Sequence, residues 1–163
     1  MATGQTLCTF FPTDNEPPAS NYATFDTRNG HPVLDFDATT GEAAIFTGIV
    51  PRHYGGGGIT VYIHAMLTSA TTGTIGWLVA FERMSDATTD LDSDSFASDN
   101  TVTAATVPGT SGVVLVLNVA VSNGANMDSI AVGEAFRLRI TRDVANDTAT
   151  GDAELLAVEL KET

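Results

Sequence analysis

"GITVYIHAML", residues 58–67, decides the fold class of this chain. Ile59, Val61, Ile63, Ala65 and Leu67 recur at every second position, the period that puts side chains on one face of a half-buried β-strand. A Thr-Thr-Gly turn follows, then "GTIGWLVAFERM" (73–84), so the two stretches read as a hairpin. Upstream, "YATFDTR" and "PVLDFD" (32–37) flank Asn29-Gly30, a pair that tolerates the positive φ of a tight hairpin turn. Further strands are expected over "EAAIFTGIV" (42–50) and "EAFRLRITR" (134–142). "AELLAVELK" (153–161) sets Leu155 and Ala157 against Leu156, Val158 and Leu160; its helix-forming composition is outweighed by the turn in front of it. "GVVLVLNVAV" (112–121) is apolar on both sides, as a strand covered on both faces would be. Residues 126–134 hold one short helical turn with Asp128 in its cap.

Eight or nine short strands separated by Gly, Asn, Asp and Thr predict an all-β chain, an antiparallel β-sandwich of jelly-roll type. The chain divides into an N-terminal arm with a Pro-rich linker (1–21) and a single sandwich domain (22–163). This N-terminal stretch carries apolar Leu7, Phe10 and Phe11 ahead of Pro12, Pro17 and Pro18, and reads as an arm or edge strand followed by a stiff linker. Residues 85–106 read as a long polar connection.

Composition narrows the function classes. Seven Lys and Arg against twenty Asp and Glu leave a net charge of −13 over 163 residues. A surface this negative repels phosphate backbones and anionic lipid, so neither nucleic acid nor membrane is an expected partner. The N-terminus carries no basic segment followed by an apolar one, so synthesis in the cytoplasm without a signal peptide is expected. A single cysteine, Cys8, excludes an intrachain disulfide and sits in an apolar stretch with no basic activator.

The four glycines Gly55, Gly56, Gly57 and Gly58 precede a strand, with neither lysine nor helix behind them, so they are no phosphate loop. With Arg52, His53 and Tyr54 they read as a close-approach or interface loop, and Tyr54 as an exposed ring. Asp90, Asp92 and Asp94 have the spacing that begins a calcium loop, but Ser95 and Thr101 stand where that loop needs Gly and Glu. They are a weak calcium candidate, and no cofactor or resident metal is expected. The three histidines lack zinc-ligand spacing, and no Gly-x-Ser-x-Gly elbow marks a nucleophile. Among twenty acids no glycosidase pair can be singled out, so no catalytic residue is assigned. Trp77, inside an apolar strand, reads as core. Arg137, Arg139 and Arg142 are expected to pair with carboxylates such as Glu134 or Asp143, within the subunit or across an interface; an anionic-ligand site is the alternative.

Three stretches together carry a resemblance: "NYATFDTRNGHPVLDFD", "EAAIFTGIVPRHYGGGGITVYIHAMLTSATTGTIGWLVAFERM" and "VGEAFRLRITRDVANDTATGDAELLAVEL". Over residues 21–160 the chain resembles small jelly-roll structural proteins of tailed bacteriophages. Capsid decoration (cement) proteins and fibre heads are of this kind. The resemblance implies a virion protein without enzymatic activity, typically a homotrimer, on the outer capsid surface. There it would stabilise the shell by binding between subunits of the major capsid protein, with the arm as its docking segment. The alternative it implies is the receptor-binding head of a fibre or spike. That head would recognise host surface glycan through loops such as 52–58 and 85–101. Fibre heads usually follow a long shaft, which favours decoration as the first expectation.

Overall fold

The 58–67 alternation becomes strand β5 (Ile59–Leu67), and its odd-numbered side chains are buried as the period requires. The computed structural model, which describes residues 4–163, surrounds it with nine other strands. They are β1 (Thr6–Phe10), β2 (Thr24–Arg28), β3 (His31–Phe36), β4 (Ala43–Ile49), β6 (Thr74–Met84), β7 (Asn100–Thr106), β8 (Leu115–Val121), β9 (Ala135–Arg142) and β10 (Ala153–Glu162). Two antiparallel sheets result. The larger runs β2-β3-β10-β5-β8, with β1 also on β10; the smaller runs β4-β9-β6-β7. The chain is therefore a β-sandwich of jelly-roll type.

The core lies between the sheets. Trp77 is fully buried edge-on to Phe36, with ring centroids 5.0 Å apart. Phe10 stacks on Phe46 at 5.3 Å and meets Phe136 edge-on at 6.2 Å. Asn29 and Gly30 both take positive φ, +48° and +79°, which closes the β2–β3 hairpin as the sequence requires.

Four expectations need correction. Of the two readings of the N-terminal stretch, the edge strand is found and the free docking arm is not: β1 pairs antiparallel with the second half of β10, and Leu7 and Phe10 are buried in the core. Residues 100–106 form β7 instead of a loop. It is an edge strand on which only Val102 is buried, so its Thr and Ala positions carry no hydrophobic alternation. β8 is likewise an edge, with its outer row exposed rather than covered. The short helical turn spans Ala125–Met127, starting ahead of the expected 126–134, and Asp128 does cap it, at its C-terminal end with φ +52°.

The side assignment along β10 also changes partway. Leu155 faces the core opposite Ala65, but Ala157 pairs with His64, which leaves Leu156 as an extra residue. This β-bulge inverts the alternation, so Val158 and Leu160 face inward after it.

Candidate functional site

The bulge on β10 also opens the sheet. One side of β10 is paired along its length with β5, but the other side is divided between two strands. β3 takes Ala153–Leu155 and β1 takes Val158–Lys161, so neither claims Leu156 or Ala157. Three hollows of about 440, 410 and 450 Å³ follow one another along this flank. Arg28, Met66 and Gly112 bound the first; Phe11 and Pro32 bound the second; Tyr22, Phe25 and Leu34 bound the third. His31 and Leu156 line both the first and second, and Pro12 and Thr13 both the second and third. The three are therefore treated as one groove.

Local structure holds three aromatic rings half out of the protein there: Phe11 is 53% exposed, Tyr22 50% and Phe25 53%. Phe11 precedes a 3-10 turn at Pro12–Asp14, and its N–H donates to Asp14 Oδ2 at 2.8 Å. Asn15 Oδ1 accepts the Ile45 N–H at 3.0 Å, which ties the turn to β4. Tyr22 makes an isolated bridge to Ala43, and Phe25 projects from edge strand β2. Clustered exposed rings mark a surface built to be covered. Between them the groove offers neutral hydrogen-bonding groups, Thr13, Asn15, Thr24 and Asn29, together with His31. No Asp or Glu lines any of the three hollows, in a chain with twenty of them. Such a surface stacks against an apolar ring face and hydrogen-bonds its polar rim.

Of the candidate site residues singled out from the sequence, Phe11 lies in this groove, and the others lie elsewhere. Tyr54 is buried, and its hydroxyl donates to the Gly57 carbonyl, so it is no exposed ring. Burial, with Glu162 nearby, pushes its phenol up. The Gly55 N–H donates to Glu162 Oε1 at 2.9 Å, and the Thr163 N–H to the Gly58 carbonyl at 2.9 Å. A Cβ on Gly58 would stand 2.8 Å from the Val121 carbonyl oxygen. Gly58 thus makes a close approach, to backbone of this chain, whereas a Cβ on Gly56 would meet nothing within 4 Å. Arg52 and His53 are exposed at its rim, and the Arg52 guanidinium lies against Gly133.

The acidic connection is pinned as well: Phe96 lies between Arg137 and Arg139, 5.0 and 4.7 Å from its ring centre, and Asp99 bonds Arg139 at 2.9 Å. Asp90 accepts the Asp92 N–H at 3.1 Å, and no metal-holding group of three or more His, Cys, Asp or Glu occurs among the described residues. Burial pushes the Cys8 thiol up, which lowers its reactivity.

The expected arginine pairing holds inside the subunit, with other partners than those named. Arg137 meets Glu82, Arg139 meets Asp99, and Arg142 meets Asp147; Glu134 belongs to Arg83 and Asp143 to Asn146. Arg28, the cation beside the groove, bonds Glu154 at 2.6 Å.

A second, smaller hollow of about 180 Å³ is lined by Thr24, Asp35, Asp37, Glu42 and Asp152. Its volume is below the roughly 300–1,000 Å³ of small-molecule sites. Burial, then the charges of Asp152, Glu154, Asp26 and Glu42, push the Asp35 carboxyl up to about 6. Bonds from Thr39 and Thr40 hold Asp37 down at about 2. Folded Asp35 thus binds its proton more tightly than unfolded Asp35, so stability from this group falls as pH rises from about 4 through about 6 and is flat above. Asp35→Asn removes the buried charge. At pH 7 it should raise stability by on the order of 1 kcal/mol after solvent screening, or about 2–4 °C in a chain of this size. At pH 4 variant and wild type should melt alike. Melting curves at both pH values test this, and an equal difference at both would contradict it.

No family model matches the sequence, and no curated protein matches it. Solved structures do match in fold. CsCBM6-3 from Clostridium stercorarium, in complex with cellobiose, superposes with TM-score 0.53 at 9% identity, over 96% of this chain and 95% of that one. The Clostridium thermocellum endo-1,4-β-D-xylanase 10B CBM22-1–GH10 modules, complexed with xylohexaose, give TM-score 0.51 at 15% identity, over 98% of this chain. BtGH115A, a 4-O-methyl-α-glucuronidase, gives 0.51 at 9% identity over 99% of this chain. This chain spans only 29% and 18% of those last two. At these identities the likeness is one of fold, and it agrees with the jelly-roll sandwich expected from the sequence.

Proposed function

We propose that this protein is a non-catalytic glycan-binding module that holds a neutral saccharide in the groove between Arg28 and Phe25. The observation that carries the reading is the coincidence of three half-exposed aromatic rings with neutral hydrogen-bonding groups and no carboxylate. A sugar ring has an apolar C–H face and a hydroxyl rim, and a groove of this composition meets both. A hydrolase would need two carboxylates flanking the bond, and the groove has none. That two of the fold neighbours were solved with cellobiose and xylohexaose supports this reading over shell cementing. So does the burial of Leu7 and Phe10, which a docking arm would present. Within the bacteriophage resemblance, the role this fits is the glycan-recognising head.

The test is a neutral-glycan array followed by calorimetry with cello- and xylo-oligosaccharides. Phe25→Ala and Tyr22→Ala should each weaken binding about tenfold, the effect of losing one ring stack of roughly 1–1.5 kcal/mol. Their melting temperatures should stay near wild type, because both rings are half exposed. Absence of binding to every neutral glycan, or affinity unchanged in the double variant, would overturn the proposal.

A further inference from the structure

The flank formed by β7 and β8 is unlike the rest of the surface. From Asn100 through Met127 the sequence has no Asp, Glu, Lys, Arg or His, in a chain of net charge −13. That segment supplies β7 and β8, one edge strand of the smaller sheet and one edge strand of the larger. One whole side of the sandwich thus presents two strand edges without a charge on either.

Natural sheets guard free edges with charged side chains, prolines, bulges or brevity. β8 has none of these over Leu115–Val121, and its pairing with β5 runs without a break in register. On its outer face Val116, Asn118 and Ala120 are all exposed, and Val113 and Val114 lead into it, 47% and 44% exposed. Among the described residues, no backbone hydrogen bond joins the outer side of β8 to the chain.

We infer that β8 is a subunit interface, and that its occupant is β8 of a second copy, paired antiparallel about a two-fold axis at Asn118. Charge selects the occupant. A basic partner would be drawn to the acidic remainder of the surface, whereas a copy bearing the same −13 is repelled everywhere except along an uncharged strip. Symmetry supports it too. In that register Val116 lies opposite Ala120 of the second copy, so large meets small, and Asn118 lies opposite itself. Continuing the larger sheet through this edge satisfies the outward N–H and C=O groups of both copies. β2, with Phe25, stands at the opposite end of the sheet from β8, whereas Val114, which leads into β8, also lines the first hollow of the groove. The inference is independent of what the groove binds.

The pairing makes a geometric demand. Facing residues of an antiparallel pair have Cα atoms about 4.5–5.5 Å apart, within disulfide range. In a Cys8→Ser background, Asn118→Cys should therefore oxidise to a covalent dimer, whereas Thr103→Cys on β7 should not. Sedimentation of the intact protein at micromolar concentration should show a dimer. Val116→Asp should weaken it at least tenfold without altering the melting curve of the monomer, and Leu91→Asp, on the exposed acidic connection, should leave it intact. A monomer at all concentrations, a trimer unaffected by Val116→Asp, or no cross-link through Asn118→Cys would each overturn the inference.

Discussion

Arg142→Ala is expected to destabilise the protein by about 3–5 kcal/mol, the effect of breaking a buried ion pair from one side. In a chain of this length that corresponds to a fall of roughly 10 °C in Tm. Arg142 ends β9 at 1% exposure and holds the β9–β10 connection together. Its Nε donates to Asp147 Oδ2 at 2.8 Å, Nη1 to the carbonyls of Gly151 at 2.9 Å and Phe36 at 3.2 Å, and Nη2 to the Ala149 carbonyl at 3.1 Å. Alanine leaves the Asp147 carboxylate, itself almost fully buried, without a counter-charge, and three carbonyls without their donor. Because the penalty is mainly the abandoned charge, Arg142→Met combined with Asp147→Asn should recover part of the loss. Urea denaturation of the single and double variants checks both statements; a single-variant loss below about 1 kcal/mol would remove Arg142 from this role.

The second large effect concerns the N-terminal strand. Phe10→Ala should cost about 3–5 kcal/mol, as for other large-to-small changes at buried aromatic sites. Phe10 fills the space between Phe46 and Phe136. Gly48 leaves room for it, since a Cβ there would lie 2.9 Å from the Phe10 ring. Deleting residues 1–11 goes further. It removes β1 and leaves the Val158–Lys161 half of β10 as an open edge over an exposed core. The truncated chain should lose cooperative unfolding by circular dichroism. A truncated chain that melts within a few degrees of the full protein would restore the docking-arm reading.

Much of this architecture was legible in the residues. Period-two alternation located β5 and β9, the Thr-Thr-Gly turn placed β6 after β5, and Asn29-Gly30 marked the β2–β3 hairpin, because those signals are local. The same parity contained an unused clue: Arg142 falls in step with Phe136, Leu138 and Ile140, so it belongs to the core side of β9. β7 was silent because an edge strand with a solvated face has no need of apolar alternation. The residues leave arm and edge strand open, because Leu7 and Phe10 look alike whether they seek a partner or their own core.

The candidate groove was the least visible part. Phe11, Tyr22, Phe25 and Leu156 are scattered over nearly the whole chain, and no spacing rule connects them. They meet because one bulge at Leu156 shifts β10 by a residue, so that β1 and β3 pair with separate halves of it. The sequence by itself determined the fold class and the acidic surface, each through composition or short-range period. Only the tertiary structure decided which strands are edges and which aromatic rings stay half exposed. Those properties depend on pairing between residues more than 100 positions apart, as Cys8 with Leu160 and Leu34 with Leu155 show.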